Sequence, residues 1–153
     1  MSKDMEGCVM LALSTFRKSE KAIYTAMQRA KVIRKLFVVY VADVNLARYF
    51  VGAEYGLSPG LKDTCEANML NLHEVEGRAQ VADIAAKADF EGIEMDSIVK
   101  VGRFAVICLD AIKEVNPSLV VTTRSQRPEW VKRFFGAPVD ELIAKAVCPV
   151  VVV

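Results

Sequence analysis

The chain's 153 residues leave room for one domain with a proper core, taken here as residues 1–153, and not for two. Twenty basic residues against nineteen acidic give a net charge of +1, which speaks against a general nucleic-acid or polyanion binder. A hydrophobic content of 53% with a mean hydropathy of +0.26 suits a sheet buried on both faces, a subunit interface, or both. No stretch approaches the roughly 18 uninterrupted apolar residues of a membrane span, and "CVMLAL" is too short for the apolar core of a signal segment. The expected location is the cytoplasm, with no membrane partner.

In chain order, "CVMLALS" (residues 8–14) is a continuous apolar run ending in small hydroxyl residues, as expected of a central strand. "FRKSEKAIYTAMQRAKVIRK" follows, with Ala22, Ile23, Ala26, Met27, Ala30 and Ile33 at helical spacing. "LFVVYVADVN" reads as a second buried strand, and "LARYFVGAEYGLSPG", with its three glycines and one proline, as a connecting loop. A long helix is predicted from Leu61 to about Ala88, with Leu70, Gly77, Val81, Ile84 and Ala88 on one side. Gly77 either weakens that helix by about 1 kcal/mol relative to alanine or admits a close neighbour.

"IEMDSIVKVG" reads as strand three. "RFAVICLDAIKEV" reads as a helix with Phe104, Ala105, Cys108, Leu109 and Ile112 on one face. Pro117 stops that helix before strand four, "PSLVVTT". "GAPVDELIAKAV" places Val139, Leu142, Ile143 and Ala146 at helical spacing, with Asp140 and Glu141 complementing its positive end. "CPVVVV" closes the chain as strand five. Alternating strands and helices imply an α/β fold with a parallel sheet covered on both faces. In such folds ligands bind at the carboxyl ends of the strands, which groups Ser14, Thr15, Asp43 and the turn from Thr123 around one crevice.

Arg17 to Lys35 holds seven basic residues and one acidic, whereas Gly52 to Asp96 holds three basic and ten acidic. Solvated helix faces account for such segregation, although an acidic long-helix face also suits an unidentified basic protein partner. Cys8, Cys65, Cys108 and Cys148 have neither C-x-x-C nor metal-ligand spacing and read as small hydrophobes in a reducing compartment. His73, the only histidine, reads as structural or exposed.

Several strings in this order resemble the universal stress protein A family of small nucleotide-binding-type α/β domains. "VMLALSTFRKSEKAI" is similar to the family's opening strand and helix, "IVKVGRFAVICLDAIKEVNPSLVV" to its third strand, helix and fourth strand, and "KAVCPVVVV" to its closing strand. The resemblance implies one doubly wound, Rossmann-like or flavodoxin-like domain with five parallel strands in the order 3-2-1-4-5. It also implies a homodimer through the terminal strand, residues Cys148, Val150, Val151, Val152 and Val153. Position 149 is counted in that strand as equivalent to a valine, although the residue there is Pro149.

ATP-binding members carry a Gly-x-x-Gly turn after strand four, nine further residues, then Gly followed by Ser or Thr. Here that pattern falls on Thr123, Gln126, Gly136 and Ala137, of which only Gly136 fits. The departure is independent of alignment, because no glycine occurs between Gly102 and Gly136. Glycine turns let backbone N–H groups approach phosphate closely, and an added side chain occupies that space. Ala137 also removes a phosphate-binding hydroxyl, and Ser14 stands where ATP-binding members usually place an Asp. The resemblance therefore leads to the branch that does not bind ATP.

The expected function is a stress-response or regulatory homodimer without enzymatic activity and without a cofactor. The alternative is a binder of ATP, AMP or another anionic small molecule through the basic segment 123–137. There Arg124 and Arg127 are the candidate anion contacts, and Trp130 either stacks on a ring or packs. An enzyme is the weakest reading. The chain has one histidine, no G-x-S-x-G elbow and no P-loop lysine, and Asp43 is a lone carboxylate, so a weak ATPase is the furthest this reading extends.

Overall fold

The structure, a computed structural model, describes residues 4–15, 19–44, 59–124 and 138–153. Its elements are β1 (Val9–Ser14), α1 (Glu20–Ile33), β2 (Lys35–Asp43), α2 (Pro59–Phe90), β3 (Glu94–Gly102), α3 (Phe104–Val115), β4 (Leu119–Thr122), α4 (Pro138–Lys145) and β5 (Val150–Val152). The five strands form one sheet in the order β3-β2-β1-β4-β5, and every neighbouring pair is parallel. This is the order expected from the sequence.

Hydrophobicity sets each strand's place. Every residue of β1 is buried, as is every residue of β2 after Lys35, whereas β3 is only half-buried, as suits an edge. Alternation along the strands divides the core in two. Met10, Ala12, Phe37, Val39, Val41 and Val120 face α3 and α4, meeting Phe104, Cys108, Ile112 and Leu142. Val9, Leu11, Leu13, Leu36, Val38, Tyr40 and Val121 face α1 and α2, meeting Ala26, Ala30, Val81, Ile84 and Ala88.

Some details differ from the periodicity. α2 begins at Pro59 and runs through Phe90, so both of its ends extend past the predicted span. Ile33 and Ile143 are 38% and 43% exposed. Ile33 is the last residue of α1, before the left-handed Arg34 turns the chain away. In the two-turn α4, Val139 and Leu142 fill the contact stripe, leaving Ile143 on its flank. Leu70 is half-buried, and the next fully buried position on its side of α2 is His73.

The terminal strand is shorter than expected. Cys148, Pro149 and Val153 flank the three-residue β5 and are not part of it. Counting position 149 as a valine equivalent is corrected here, because Pro149 has no N–H to give to a strand ladder. It joins the sheet only as an acceptor, its carbonyl receiving the Val120 N–H at 2.9 Å, and β5 starts at the next residue.

Gly77 is explained by a close approach. A Cβ there would overlap the Cγ, Cδ1 and Cε1 atoms of Tyr40, so the missing side chain lets α2 lie directly on the ring. α1 ends with Arg34 in the left-handed region at φ 72°, a conformation costing about 1–2 kcal/mol in a non-glycine residue. Arg34 is held there from three directions. Its N–H donates to the Ala30 carbonyl, its carbonyl accepts from Glu94 N–H, and Nη1 donates to the Glu91 carbonyl at 3.0 Å.

Candidate functional site

The sheet's two ends differ in polarity. Among the described residues, the buried polar or charged side chains are Ser14, Thr15, Ser19, Asp43, His73, Thr122 and Thr123. Six of them close or follow β1, β2 or β4 at the carboxyl end. The seventh, His73, lies on the same end because α2 runs antiparallel to the sheet. Phe90 approaches the start of β3, Gly77 packs on Tyr40, and His73 is one turn further along. The sequence-based crevice is therefore a real polar crest on an otherwise apolar core.

The crest has two sides. On the α1/α2 side, Thr15 pairs with Tyr40 and Ser19 with Gln80. Thr15 Oγ1 and Tyr40 Oη are 3.1 Å apart, and Gln80 Nε2 donates to Ser19 Oγ at 2.6 Å. Burial pushes the Tyr40 phenol up, opposed by the Thr15 hydrogen bond and reinforced by the nearby Glu76 charge. Burial pushes the His73 imidazole below its ordinary 6.5, and Glu76 partly offsets this. The neutral forms of both rings are the stable ones.

On the α3/α4 side, strand alternation places Ser14, Asp43 and Thr122, because they share faces with Ala12, Val41 and Val120. Thr122 Oγ1 is satisfied by donating to the Ala12 carbonyl at 2.9 Å. Ser14, only 4% exposed, keeps a buried Oγ with no hydrogen-bond partner among the described residues. Leaving such a hydroxyl unpaired costs roughly 1–3 kcal/mol, and in a native fold it marks a place where a bound group can satisfy it. The β1–β4 register ends by pairing Ala12 with Thr122, and the next two residues on each chain segment lead to Ser14 at the end of β1 and to Arg124 just past β4. Arg124 Nη2 donates to Asp140 Oδ1, in the first turn of α4, at 2.8 Å. Both partners are about half exposed, at 50% and 60%.

Of the expected site residues, Ser14, Asp43, Thr123 and Arg124 come together on this crest. Gln126, Arg127, Gly136, Ala137 and Trp130 lie outside the described residues. Sequence reasoning missed Tyr40, His73, Ser19 and Gln80. The available signal for Tyr40 was a lone hydroxyl-bearing ring in the aliphatic strand "LFVVYVAD". Among the described residues, no group of three or more His, Cys, Asp and Glu side chains is placed to hold a metal ion. All four cysteines are free thiols, and burial pushes that of Cys8 up to about 11. No described helix is long and apolar enough to cross a membrane.

A concavity of about 590 Å³ runs between α1 and α2 along Tyr24, Met27 and Phe90. Its Lys31 and Glu91 pair with each other at 3.7 Å. None of the buried polar side chains lines it.

A family model described as the universal stress protein family matches residues 9–153. The chain belongs to the universal stress protein family. Comparison with curated proteins returned no match. Among solved structures, the universal stress protein UspA from Lactobacillus plantarum superposes with a TM-score of 0.70 at 16% identity, covering 97% of this chain and 98% of that one. A universal stress protein family member from Burkholderia pseudomallei gives 0.63 at 21% identity, covering 99% and 98%. The Archaeoglobus fulgidus universal stress protein in complex with dAMP gives 0.54 at 17% identity, covering 97% and 98%. At these identities the likeness is one of fold, and it extends over the whole universal stress protein sheet.

Proposed function

We propose that this universal stress protein is a homodimeric regulatory protein without catalytic activity, and that it does not hold ATP through the family's glycine turn. One observation carries the dimer. β5 is an uncharged edge of three valines, hydrogen-bonded on one side to β4, and the half-buried Val150, Val151 and Val152 present backbone groups along its outer side. Such an edge is a liability unless another strand or element covers it. Val147, 85% exposed, and Ile143 extend the apolar surface beside it. Pairing of this edge with a second copy accounts for both features. Val151→Lys should convert the dimer to a monomer by sedimentation at micromolar concentration, and a monomeric wild-type protein would overturn the reading. The absence of catalysis is supported by the sequence's single histidine, which is buried on the side of the crest away from Ser14 and Asp43.

A second reading is favoured by the unpartnered Ser14 hydroxyl: the crest binds a small anionic ligand. The dAMP complex of the Archaeoglobus fulgidus relative supports this class of ligand. Without the glycine turn, Arg124, just past the end of β4 next to the strand that Ser14 closes, is the described cation best placed to receive the anionic group. Mass spectrometry of a denatured extract, together with calorimetric titration of AMP and ATP, tests this reading. Millimolar or absent binding of both nucleotides would end it.

A further inference from the structure

The crest's anion position is engaged from within. Arg124 lies two residues beyond Thr122, where β4 ends, and Ser14, whose buried hydroxyl has no hydrogen-bond partner among the described residues, lies two residues beyond Ala12, which pairs with Thr122 on the adjacent strand. Its guanidinium, which suits phosphate or carboxylate oxygens, instead donates to Asp140 Oδ1 at 2.8 Å. Asp140 belongs to the first turn of α4, where helix geometry itself favours negative charge. One side chain of the protein thus offers a carboxylate to the same two attractors, the Arg124 guanidinium and the α4 N-terminus, that would draw an anionic ligand toward Ser14.

We infer that Asp140 is a resident competitor. Its carboxylate holds the place on Arg124 that a phosphomonoester or carboxylate ligand takes, and the ligand's neutral polar body then satisfies Ser14 Oγ. The inference rests on the second reading above and goes beyond it by naming the residue that sets the affinity. The pair is suited to exchange. Both members are about half exposed, so water competes for them and little holds them together, and an entering dianion can replace Asp140 on Arg124. The neighbouring Glu141 carries the same charge but bonds Lys145 at 3.1 Å, on the other side of its helical turn. It serves as an internal control for charge alone.

The test is calorimetric titration of AMP into the full-length protein at low salt, with inorganic phosphate as a displacing anion. Asp140→Asn, which frees Arg124, should tighten AMP binding about two- to five-fold, matching the modest strength of an exposed ion pair. Glu141→Gln should leave binding at the wild-type value. Arg124→Ala should weaken it at least about tenfold, as expected for loss of a hydrogen bond to a charged group. Ser14→Ala should weaken it about two- to tenfold.

Wild-type binding that Asp140→Asn leaves unchanged, or that Asp140→Asn and Glu141→Gln tighten equally, overturns the inference and leaves the crest as a ligand site. No AMP binding by either wild type or Asp140→Asn overturns the ligand-site reading and the inference with it. If Asp140→Asn melts well below wild type, Asp140→Ser, which keeps a hydrogen-bonding group in the first turn of α4, is judged by the same criteria.

Discussion

The two sides of the crest meet at adjacent residues of β1 and its exit, Ser14 and Thr15, yet they resolve their polar groups differently. Thr15 turns toward α1 and α2 and bonds Tyr40, whose ring is clamped by the bare backbone at Gly77, while Ser19 and Gln80 close the same side. Ser14 turns toward α3 and α4 with no hydrogen-bond partner among the described residues, and Arg124, past the end of the neighbouring β4, pairs with the exposed Asp140 carboxylate. Polar groups that satisfy one another, as Thr15, Tyr40, Ser19 and Gln80 do, add rigidity and have little to gain from a ligand. A side with an unpaired hydroxyl and an exchangeable ion pair gives up stability that a ligand can restore.

The largest expected effect lies on the paired side. Gly77→Ala should gain about 1 kcal/mol of helix propensity but lose more, since its Cβ would overlap three atoms of the buried Tyr40 ring and overpacking costs roughly 1–3 kcal/mol, occasionally more. Net destabilisation in urea unfolding, relieved when Tyr40→Leu is added, is the expected result. A stabilised Gly77→Ala would mean that the helix does not rest on Tyr40.

Next comes the Thr15–Tyr40 hydrogen bond. Tyr40→Phe should cost about 1–3 kcal/mol because it leaves the Thr15 hydroxyl buried without its ring partner. Ser14→Ala, one residue before Thr15, removes a hydroxyl that has no partner among the described residues, so the ligand-free protein should be unchanged within about 0.5 kcal/mol or slightly more stable. Equal losses in the two variants would erase the distinction between the sides.

His73 tests the paired side through pH. Burial lowers its folded value below 6.5, so the unfolded chain binds the proton first. Its contribution to stability is complete above about pH 6.5 and is lost as pH falls from there through the lowered folded value. His73→Gln should flatten the fall in stability between pH 7 and pH 5, measured as denaturation midpoints. An unchanged slope would place the acid sensitivity elsewhere.

The smallest effect is chemical. Burial raises the Cys8 thiol to about 11, and Cys108 is fully covered, so at pH 8 a thiol reagent should modify the half-buried Cys65 and Cys148 first. Rapid labelling of Cys8 would show that the apolar core below the crest opens readily.

Much of this architecture was legible in the residues. Short apolar runs such as "VMLALS" and "KLFVVYVAD" read as strands buried on both faces, and helices between them imply parallel pairing and coverage on either side. Membership of the universal stress protein family followed from strings of local sequence, and the crest followed from the rule that strand carboxyl ends hold ligands. The sequence also marked Gly77 as anomalous and Ser14 as out of place.

Tertiary structure decided the partners of these residues. Whether Gly77 is a weakness or a contact depends on a ring 37 residues earlier in the chain, and no helical period carries that information. His73 is buried because antiparallel α2 brings it over the strand ends, although periodicity marks only its spacing on the helix face. Arg124 and Asp140 are 16 residues apart and meet because the crossover from β4 returns α4 to the same side of the sheet. Side-chain type determined which chemistry was available on this chain, and long-range packing determined which groups were satisfied and which were left open.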